Sequence, residues 1–281
     1  MNPIQSFLRS YDGAAVTHNV FSSLILQGVV ITIVLAVLAQ LTGTILGLIV
    51  YFMRRARFRP LGWVAEVYIW FFRGTPLLVQ ILFVYLAMPY LSLARPLRNA
   101  DIFSVFGFSG VYTDSFVAGF LALALNEGAY MAEIVRAGID SIDPGQMEAA
   151  KTLGMTYWLG MRRIVLPQAM RVILPPLGNE FNGMLKNTSL VSVISLYDLL
   201  GAAEAIGSPT FRTLELLTVA CIWYLLMTTV WTIIQSWLER RFNASTRDPG
   251  SGKSVWDLLL SRDTYAWPIL RRSGVGGVAS R

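Results

Sequence analysis

Long uncharged runs dominate the pattern of hydrophobic and polar positions along the chain. Residues 13–53 contain no Asp, Glu, Lys or Arg. Their apolar core, at about residues 27–51, exceeds the roughly 20 residues that a membrane-spanning helix needs. The runs 74–94 and 216–238 are equally free of charge. These three runs predict three transmembrane helices.

Two further apolar runs, residues 116–138 and 177–200, contain polar and charged positions. A hydropathy average alone would miss the second of them. The interrupting residues are Asn126, Glu127 and Glu133 in the first run and Asn179, Glu180, Asn182, Lys186 and Asn187 in the second. The placement of basic residues decides whether both runs cross the membrane.

Basic residues fall mainly on one side of a five-span arrangement. With the N-terminus outside, the four arginines at 54–59, the basic residues at 151–171 and those after position 239 lie inside. The basic residues left outside are Arg9, Arg95, Arg98 and Arg212. Three spans alone would place the 151–171 block outside, against the positive-inside rule. The sequence therefore predicts an all-α polytopic membrane protein with five transmembrane helices, N-terminus outside and C-terminus inside.

Composition agrees with a chain that faces lipid. Hydrophobic residues make up 54% of the 281 positions and charged residues 14%, against about 25% charged residues in soluble domains. The net charge of +6 does not indicate a nucleic-acid partner, because membrane orientation explains the excess of arginine equally well. A single cysteine and a single histidine argue against a metal site.

Composition and local signals also give the expected boundaries. We expect an extracytoplasmic segment at 1–19, a transmembrane domain at 20–242 and a loosely ordered cytoplasmic tail at 243–281. A helix break is predicted at Gly74, because Thr75 can cap a helix whose first residue is Pro76.

The largest internal cytoplasmic loop, at about 139–167, predicts two short helices. Asp143 can cap a helix that starts at Pro144, with Gln146 three residues past the cap and Gly154 as its stop. A second helix at about 157–165 is predicted to end at Leu166-Pro167. The residues alone allow two interpretations: an amphipathic hairpin on the membrane surface, or a docking element whose exposed alanines permit close approach of a partner.

One motif favours docking. Glu148-Ala149-Ala150, three residues, Gly154, nine residues, Ile164, one residue and Leu166-Pro167 resemble the EAA loop of the membrane subunits of ABC importers. Segments 72–80, 126–136, 174–181 and 185–190 further resemble the permeases for polar amino acids of the histidine and glutamine type. The resemblance covers about residues 20–242.

The resemblance implies a type I ABC importer fold in a bacterial cytoplasmic membrane. It implies two membrane subunits, identical or homologous, and an extracytoplasmic solute-binding protein that delivers an amino acid. It also implies two ABC ATPase subunits, which bind ATP and magnesium and grip the loop, so that this chain needs no cofactor of its own. The implied contacts with the ATPase are Glu148, Ala149, Ala150 and Gly154.

Polar residues inside the predicted spans are the candidates for a substrate path. A charged side chain at membrane depth costs roughly 2.5–3.5 kcal/mol on insertion scales, so each needs a partner or water. Glu133 is three residues from Arg136, which permits a structural ion pair. The remaining candidates form one predicted face with Asn126, Glu127 and Tyr130, one stripe with Asn179, Asn182, Lys186 and Ser189, and a neighbouring stripe with Glu180 and Asn187.

These stripes allow hydrogen bonds between helices or the lining of a passage. We favour the passage for the set as a whole, because polar stripes occur on two helices and the resemblance implies that these helices line the substrate path. A zwitterionic amino acid would suit such a site: carboxylates and amide oxygens can bind its ammonium group, while Lys186 or backbone N–H groups bind its carboxylate. An ion-coupled secondary transporter whose carboxylates relay protons is the alternative.

Residues 247–254 end like a phosphate-binding loop, but an arginine replaces its first glycine and no strand is predicted before it. We expect a linker there, no ATPase site and no enzymatic activity.

Overall fold

The computed structural model describes residues 11–90 and 111–243, and these ranges contain helices and no strand. The α-helices are α1 Gly13–Asn19, α2 Ser23–Arg55, α3 Arg59–Gly74, α4 Leu77–Ala87, α5 Val111–Asp140, α6 Pro144–Thr152, α7 Tyr157–Gly160, α8 Leu166–Asn187, α9 Leu199–Thr210 and α10 Thr213–Asn243. The predicted all-α class is confirmed over these ranges. Arg9, Arg95, Arg98, the 247–254 segment and the tail after residue 243 lie outside them.

Three helices are long and apolar enough to cross a membrane unaided: α2, residues 114–140 of α5 and residues 213–242 of α10. Two bent pairs pass the same test jointly. In the first, α3 meets residues 77–90 at 110°, and in the second, residues 157–194 meet α9 at 46°. The described chain thus has three spans, or up to five if each bent pair counts as one.

The helix break near Gly74 is present, but its cap differs from the prediction. Helix α3 ends at Gly74, Thr75 is its C-cap and Pro76 is the N-cap of α4. The predicted cap, Thr75, instead donates a hydrogen bond from Oγ1 to the carbonyl oxygen of Phe71 at 2.8 Å. The predicted N-cap of α4 is therefore wrong by one position. The Thr75 hydroxyl bonds to a carbonyl of α3 and does not cap α4.

The predicted end of the second loop helix at Leu166-Pro167 is wrong. Helix α7 continues through a π turn at Met161–Val165 directly into α8. In this widened turn the Leu166 N–H donates to the Met161 carbonyl, and Pro167 then lies in the first turn of α8, where a missing N–H is tolerated. The fourth span was predicted at 177–200, but the helix begins earlier and ends at Asn187.

Helices α2 and α5 form the centre of the described core. Leu35 and Ala39 of α2 are fully buried with Phe116 and Leu123 of α5. The two backbones approach closely at Gly43, where a Cβ atom would lie 2.6 Å from the Glu127 Cβ. Only glycine fits at that position without moving α5.

An ion-pair cluster joins the C-terminal ends of α2, α3 and α5. Glu133 accepts from Arg54 at 2.7 Å and from Arg136 at 2.8 Å, which confirms the predicted Glu133–Arg136 pair. Arg54 also pairs with Glu66 of α3 at 2.6 Å. The charges at this end of the spans therefore neutralise one another.

Helix α3 was not predicted, and one of its faces is open. Trp63 and Trp70 are 73% and 74% exposed, while Ala65 and Ile69 are buried against α2 and α5. Such an apolar face requires lipid or another subunit as its neighbour.

The chain divides into two compact units between Thr232 and Ile233. The described part of the second unit is the end of α10, where Gln235 Nε2 donates to Glu239 Oε1 at 2.8 Å.

Candidate functional site

A hydrogen-bonded break lies between α3 and α4. Gln80 Nε2 donates to the Phe72 carbonyl at 2.9 Å and to Thr75 Oγ1 at 2.8 Å. Carbonyls at the end of a helix have no intrahelical partner and need one elsewhere. Gln80 provides it from the first turn of the next helix. Gln80 was not predicted as a site residue, although a lone amide in the apolar run 77–87 was a usable signal.

Asn126 of α5 holds the same break. Its Nδ2 donates to the Phe72 carbonyl and to Gln80 Oε1, both at 3.0 Å. Asn126 was predicted as a path residue, and the structure places its amide in contacts between helices. The side chain is partly buried, and its Nδ2 donors are engaged in these two contacts.

The Glu127 side chain points towards α2 and not towards the break between α3 and α4. Its side chain is 3% exposed and faces α2, where Gln40 Nε2 donates to its Oε1 at 2.8 Å. The prediction that Glu127 shares a face with Asn126 is wrong, because one residue along a helix turns a side chain by about 100°. Gln40, buried inside an uncharged run, was missed.

Tyr130 lies beside a cation at the end of α3. The Arg73 guanidinium is 5.3 Å from the centre of the Tyr130 ring and 3.9 Å from Glu133. Glu180 of α8 is within electrostatic range of both Arg73 and Glu127. Arg73 therefore joins the candidate site, although the prediction did not include it. Its position next to a helix break was the available signal.

Polar residues of α8 and of the turn after it lie partly in the open. Asn179, Lys186 and Asn187 are exposed, whereas Glu180, Asn182 and Ser189 are half-buried. Asn182 Oδ1 is buried without a hydrogen-bond partner among the described residues, a condition that calls for an explanation. A charged side chain at membrane depth is costly against lipid, and Lys186 belongs to the second bent helix pair.

The loop after α5 has the predicted first helix. Asp143 caps α6 by accepting from the Gly145 N–H at 2.8 Å. Glu148 and Ala149 are exposed, but Ala150 is 1% exposed and packs at Gly160 of α7. The expectation that both alanines are exposed is wrong for Ala150, because the second short helix folds back over it.

Gly154 ends α6 in a left-handed conformation, with φ +78°. Its N–H donates to the Lys151 carbonyl at 2.9 Å, and the Met155 N–H donates to the Ala150 carbonyl at 3.0 Å. This pair of bonds is the Schellman motif that glycine favours. The predicted stop at Gly154 is confirmed.

Two apolar residues stand out on this loop. Leu153 is 80% exposed and Trp158 is 69% exposed. Neither residue was predicted to belong to the docking surface, although Leu153 directly precedes the helix-ending Gly154 in the sequence.

Asp198 was also missed and is fully buried at the second bend. It caps α9 by accepting from the Gly201 N–H at 3.0 Å and accepts from the Tyr224 hydroxyl at 3.3 Å. The adjoining Leu199 N–H donates to Thr32 Oγ1 at 3.1 Å. These contacts fix the bend between α8 and α9 against α2 and α10.

Comparison with known proteins gives a consistent family. Residues 43–244 match the family described as "Binding-protein-dependent transport system inner membrane component". The arginine transport system permease protein ArgU of Corynebacterium glutamicum is 42% identical over 77% of this chain and 67% of its own length. The arginine permease protein ArtQ of Bacillus subtilis is 36% identical over 79% and 93%. The glutamine permease protein GlnP of Escherichia coli is 35% identical over 78% and 92%.

Solved structures are similar in fold. A crystal structure of an amino acid ABC transporter with histidines has a TM-score of 0.65 and 41% identity, covering 78% of this chain and 94% of its own. An inward-facing MetNI methionine ABC transporter has a TM-score of 0.57 at 14% identity, with the same two coverages of 78% and 94%. The second likeness shows the fold alone.

Proposed function

Because the chain belongs to the family of binding-protein-dependent transport system inner membrane components, we propose that it is the permease subunit of an ATP-driven ABC importer for polar amino acids. The observation that carries this proposal is the family match over residues 43–244. Relatives whose names specify arginine and glutamine transport support the amino-acid substrate. The chain binds the amino acid along its path, and a separate subunit hydrolyses ATP.

The substrate path follows the open polar faces of α5 and α8. Arg73 can bind a carboxylate, while Glu180 and the unpaired Asn182 Oδ1 can accept from an ammonium group. Tyr130, Asn179, Lys186, Asn187 and Ser189 complete the path in this proposal. Asn126 and Glu127 lie behind it, where they hold α3, α4 and α2 in place.

Two copies of this chain, or this chain and a homologous permease, enclose the path between them. The exposure of Lys186 in a membrane-spanning segment supports a second subunit, since lipid cannot solvate an ammonium group. An extracytoplasmic solute-binding protein delivers the amino acid to this pair.

Coupling to the ATPase takes place at the loop 139–167. Glu148, Ala149 and Gly154 are on its exposed side, with Leu153 beside them, whereas Ala150 supports the loop from within. ATP and magnesium bind to the partner ATPase, and this chain needs no cofactor.

We place the protein in a bacterial cytoplasmic membrane with five spans, N-terminus outside and C-terminus inside. The two bent helix pairs support the count, and the arginines that follow α2 support the orientation. The alternative, an ion-coupled secondary transporter, receives no support from the comparisons described above.

Co-purification tests the proposal. The tagged chain, extracted gently from its native membrane, retains an ABC ATPase, and reconstituted complexes take up an amino acid only with ATP. Glu148→Lys abolishes both ATPase retention and uptake, because it reverses a charge on the docking side of α6. Glu204→Lys, an equal charge reversal at an exposed position of α9, keeps the ATPase. A chain that moves amino acids alone under an ion gradient contradicts the proposal.

A further inference from the structure

A partly enclosed apolar cavity of about 540 Å³ lies between α2, α5 and the continuous helix α7–α8. Its volume is within the range of about 300–1,000 Å³ that is usual for ligand sites. The apolar residues that define its walls are Leu48, Phe52, Met131, Trp158, Met170 and Ile173. Phe52 and Trp158 are also more than half exposed, so the cavity opens towards the surroundings of the spans.

A second cavity of about 350 Å³ adjoins the first. Both are lined by Arg55, Tyr157 and Met161. The second cavity differs in character, since Asp140 and Asp143 contribute carboxylates to its wall. The apolar cavity and the charged cavity thus share the Arg55 guanidinium group in their walls.

The charge pattern at this junction matches a phospholipid. Arg55 Nη2 pairs with Asp140 at 2.8 Å, and its half-exposed guanidinium has further N–H donors for a phosphate. The carboxylates of Asp140 and Asp143 favour a headgroup that carries an amine. Tyr157 and Trp158 are of the residue types that concentrate at membrane interfaces.

The position along α2 agrees with this match. Leu48 and Phe52 belong to a helix that is long and apolar enough to span the membrane, and Arg55 is the last residue of that helix. An acyl chain beside Leu48 would therefore lie deeper in the membrane than a phosphate beside Arg55, as the tails and headgroups of a lipid do.

We propose that the two adjoining cavities bind one phospholipid, with an acyl chain in the apolar cavity and its phosphate at Arg55. With the orientation given under the proposed function, this lipid lies in the cytoplasmic leaflet. The site itself does not depend on that orientation. Because Tyr157, Trp158 and Met161 belong to the coupling loop 139–167 and line the apolar cavity, the bound lipid braces this loop against α2 and α5.

Native mass spectrometry of the full-length protein with its co-purifying subunits tests this site. The complex is stripped of lipid in detergent and titrated with dioleoyl phosphatidylethanolamine. Leu48→Trp fills the apolar cavity and removes one bound lipid per permease chain. Leu41→Trp, an exposed leucine of the same helix that lines neither cavity, retains it.

Charge variants test the headgroup contact. Arg55→Gln weakens lipid binding at least about tenfold, the loss expected for a hydrogen-bonded charged contact. Arg57→Gln removes the same charge at an exposed position outside both cavities and leaves binding unchanged. Asp140→Asn breaks the same ion pair but keeps the Arg55 charge, so it weakens binding of phosphatidylethanolamine less than Arg55→Gln does, because it removes only a contact to the amine. This difference separates phosphate binding from loss of the pair.

Equal lipid binding by wild type and Leu48→Trp would overturn the proposal. A changed subunit count in Leu48→Trp with unchanged lipid binding would also overturn it, because a second chain would then cover the cavity. Lipid binding does not require an active ATPase, so failure of this test and failure of the transport proposal are distinguishable.

Discussion

Replacing Gly154 separates two reasons for a glycine in the coupling loop. Its φ of +78° lies in the left-handed region, where residues other than Gly and Asn are disfavoured by roughly 1–2 kcal/mol. A Cβ atom built on Gly154 meets no atom within 4 Å among the described residues. The full cost of Gly154→Ala is therefore conformational and not steric.

Different substitutions at Gly154 are therefore expected to destabilise the end of α6 to different extents. Gly154→Ala loosens the end of α6 by about 1–2 kcal/mol, which raises the population of the open end roughly 5–30-fold. Gly154→Asn costs a few tenths of that amount, because asparagine tolerates the left-handed region. Gly62→Ala is the matched control: it lies inside α3 with only an ordinary contact at 3.6 Å, so alanine there is stabilising.

Hydrogen exchange at the Gly154-to-Lys151 and Met155-to-Ala150 bonds measures this opening directly. We expect faster exchange in Gly154→Ala and wild-type exchange in Gly154→Asn. We also expect the alanine variant to retain less ATPase and the asparagine variant to retain as much as the wild type. If the asparagine variant loses the ATPase while its exchange is unchanged, the backbone argument is refuted, and Gly154 is needed for close approach of the partner.

Three further substitutions test the packing behind the path, each by thermal unfolding of the detergent-solubilised protein. Asn126→Leu lowers stability by about 1–3 kcal/mol, because the Gln80 Oε1 loses its donor; a change near zero would remove Asn126 from the break. Gln40→Leu lowers the free energy of unfolding by about 1–3 kcal/mol, because it leaves the buried Glu127 carboxylate without its partner. Adding Glu127→Gln to Gln40→Leu restores most of this stability. Additive effects of the two substitutions would disprove their coupling. Gly43→Ala costs about 1–3 kcal/mol by forcing α2 from α5, whereas wild-type stability would show that the helices are not in close contact there.

Local signals predicted several elements well. Helices α2 and α10 follow from uncharged runs longer than a bilayer requires, and α6 follows from its cap and its glycine stop. In each case the deciding physical chemistry, apolar length or terminal hydrogen bonding, involves residues close together in the chain.

The misses have different physical causes. Helix α3 mixes Arg59, Glu66 and Arg73 with aromatic residues, so it matches neither a span nor a soluble helix. Pro167 is normally a reason to end a helix, but a π turn moves it into a first turn, where it is tolerated. Which neighbour Glu127 faces depends on α2, some 80 positions away, and no periodicity within α5 specifies it.

Helix α7 continues through the π turn into α8 without interruption, so the three segments can move as one element. From Tyr157 to Asn187 it forms one rod about 45 Å long at roughly 1.5 Å per residue, with the coupling loop at one end and the polar residues around Lys186 at the other. Pro175 and Pro176 lie inside this rod and remove two consecutive backbone N–H groups, which makes the middle its most compliant point. We expect a displacement at the Tyr157 end of this rod to reach Lys186 as a bend about the proline pair, so that the two ends turn through different angles.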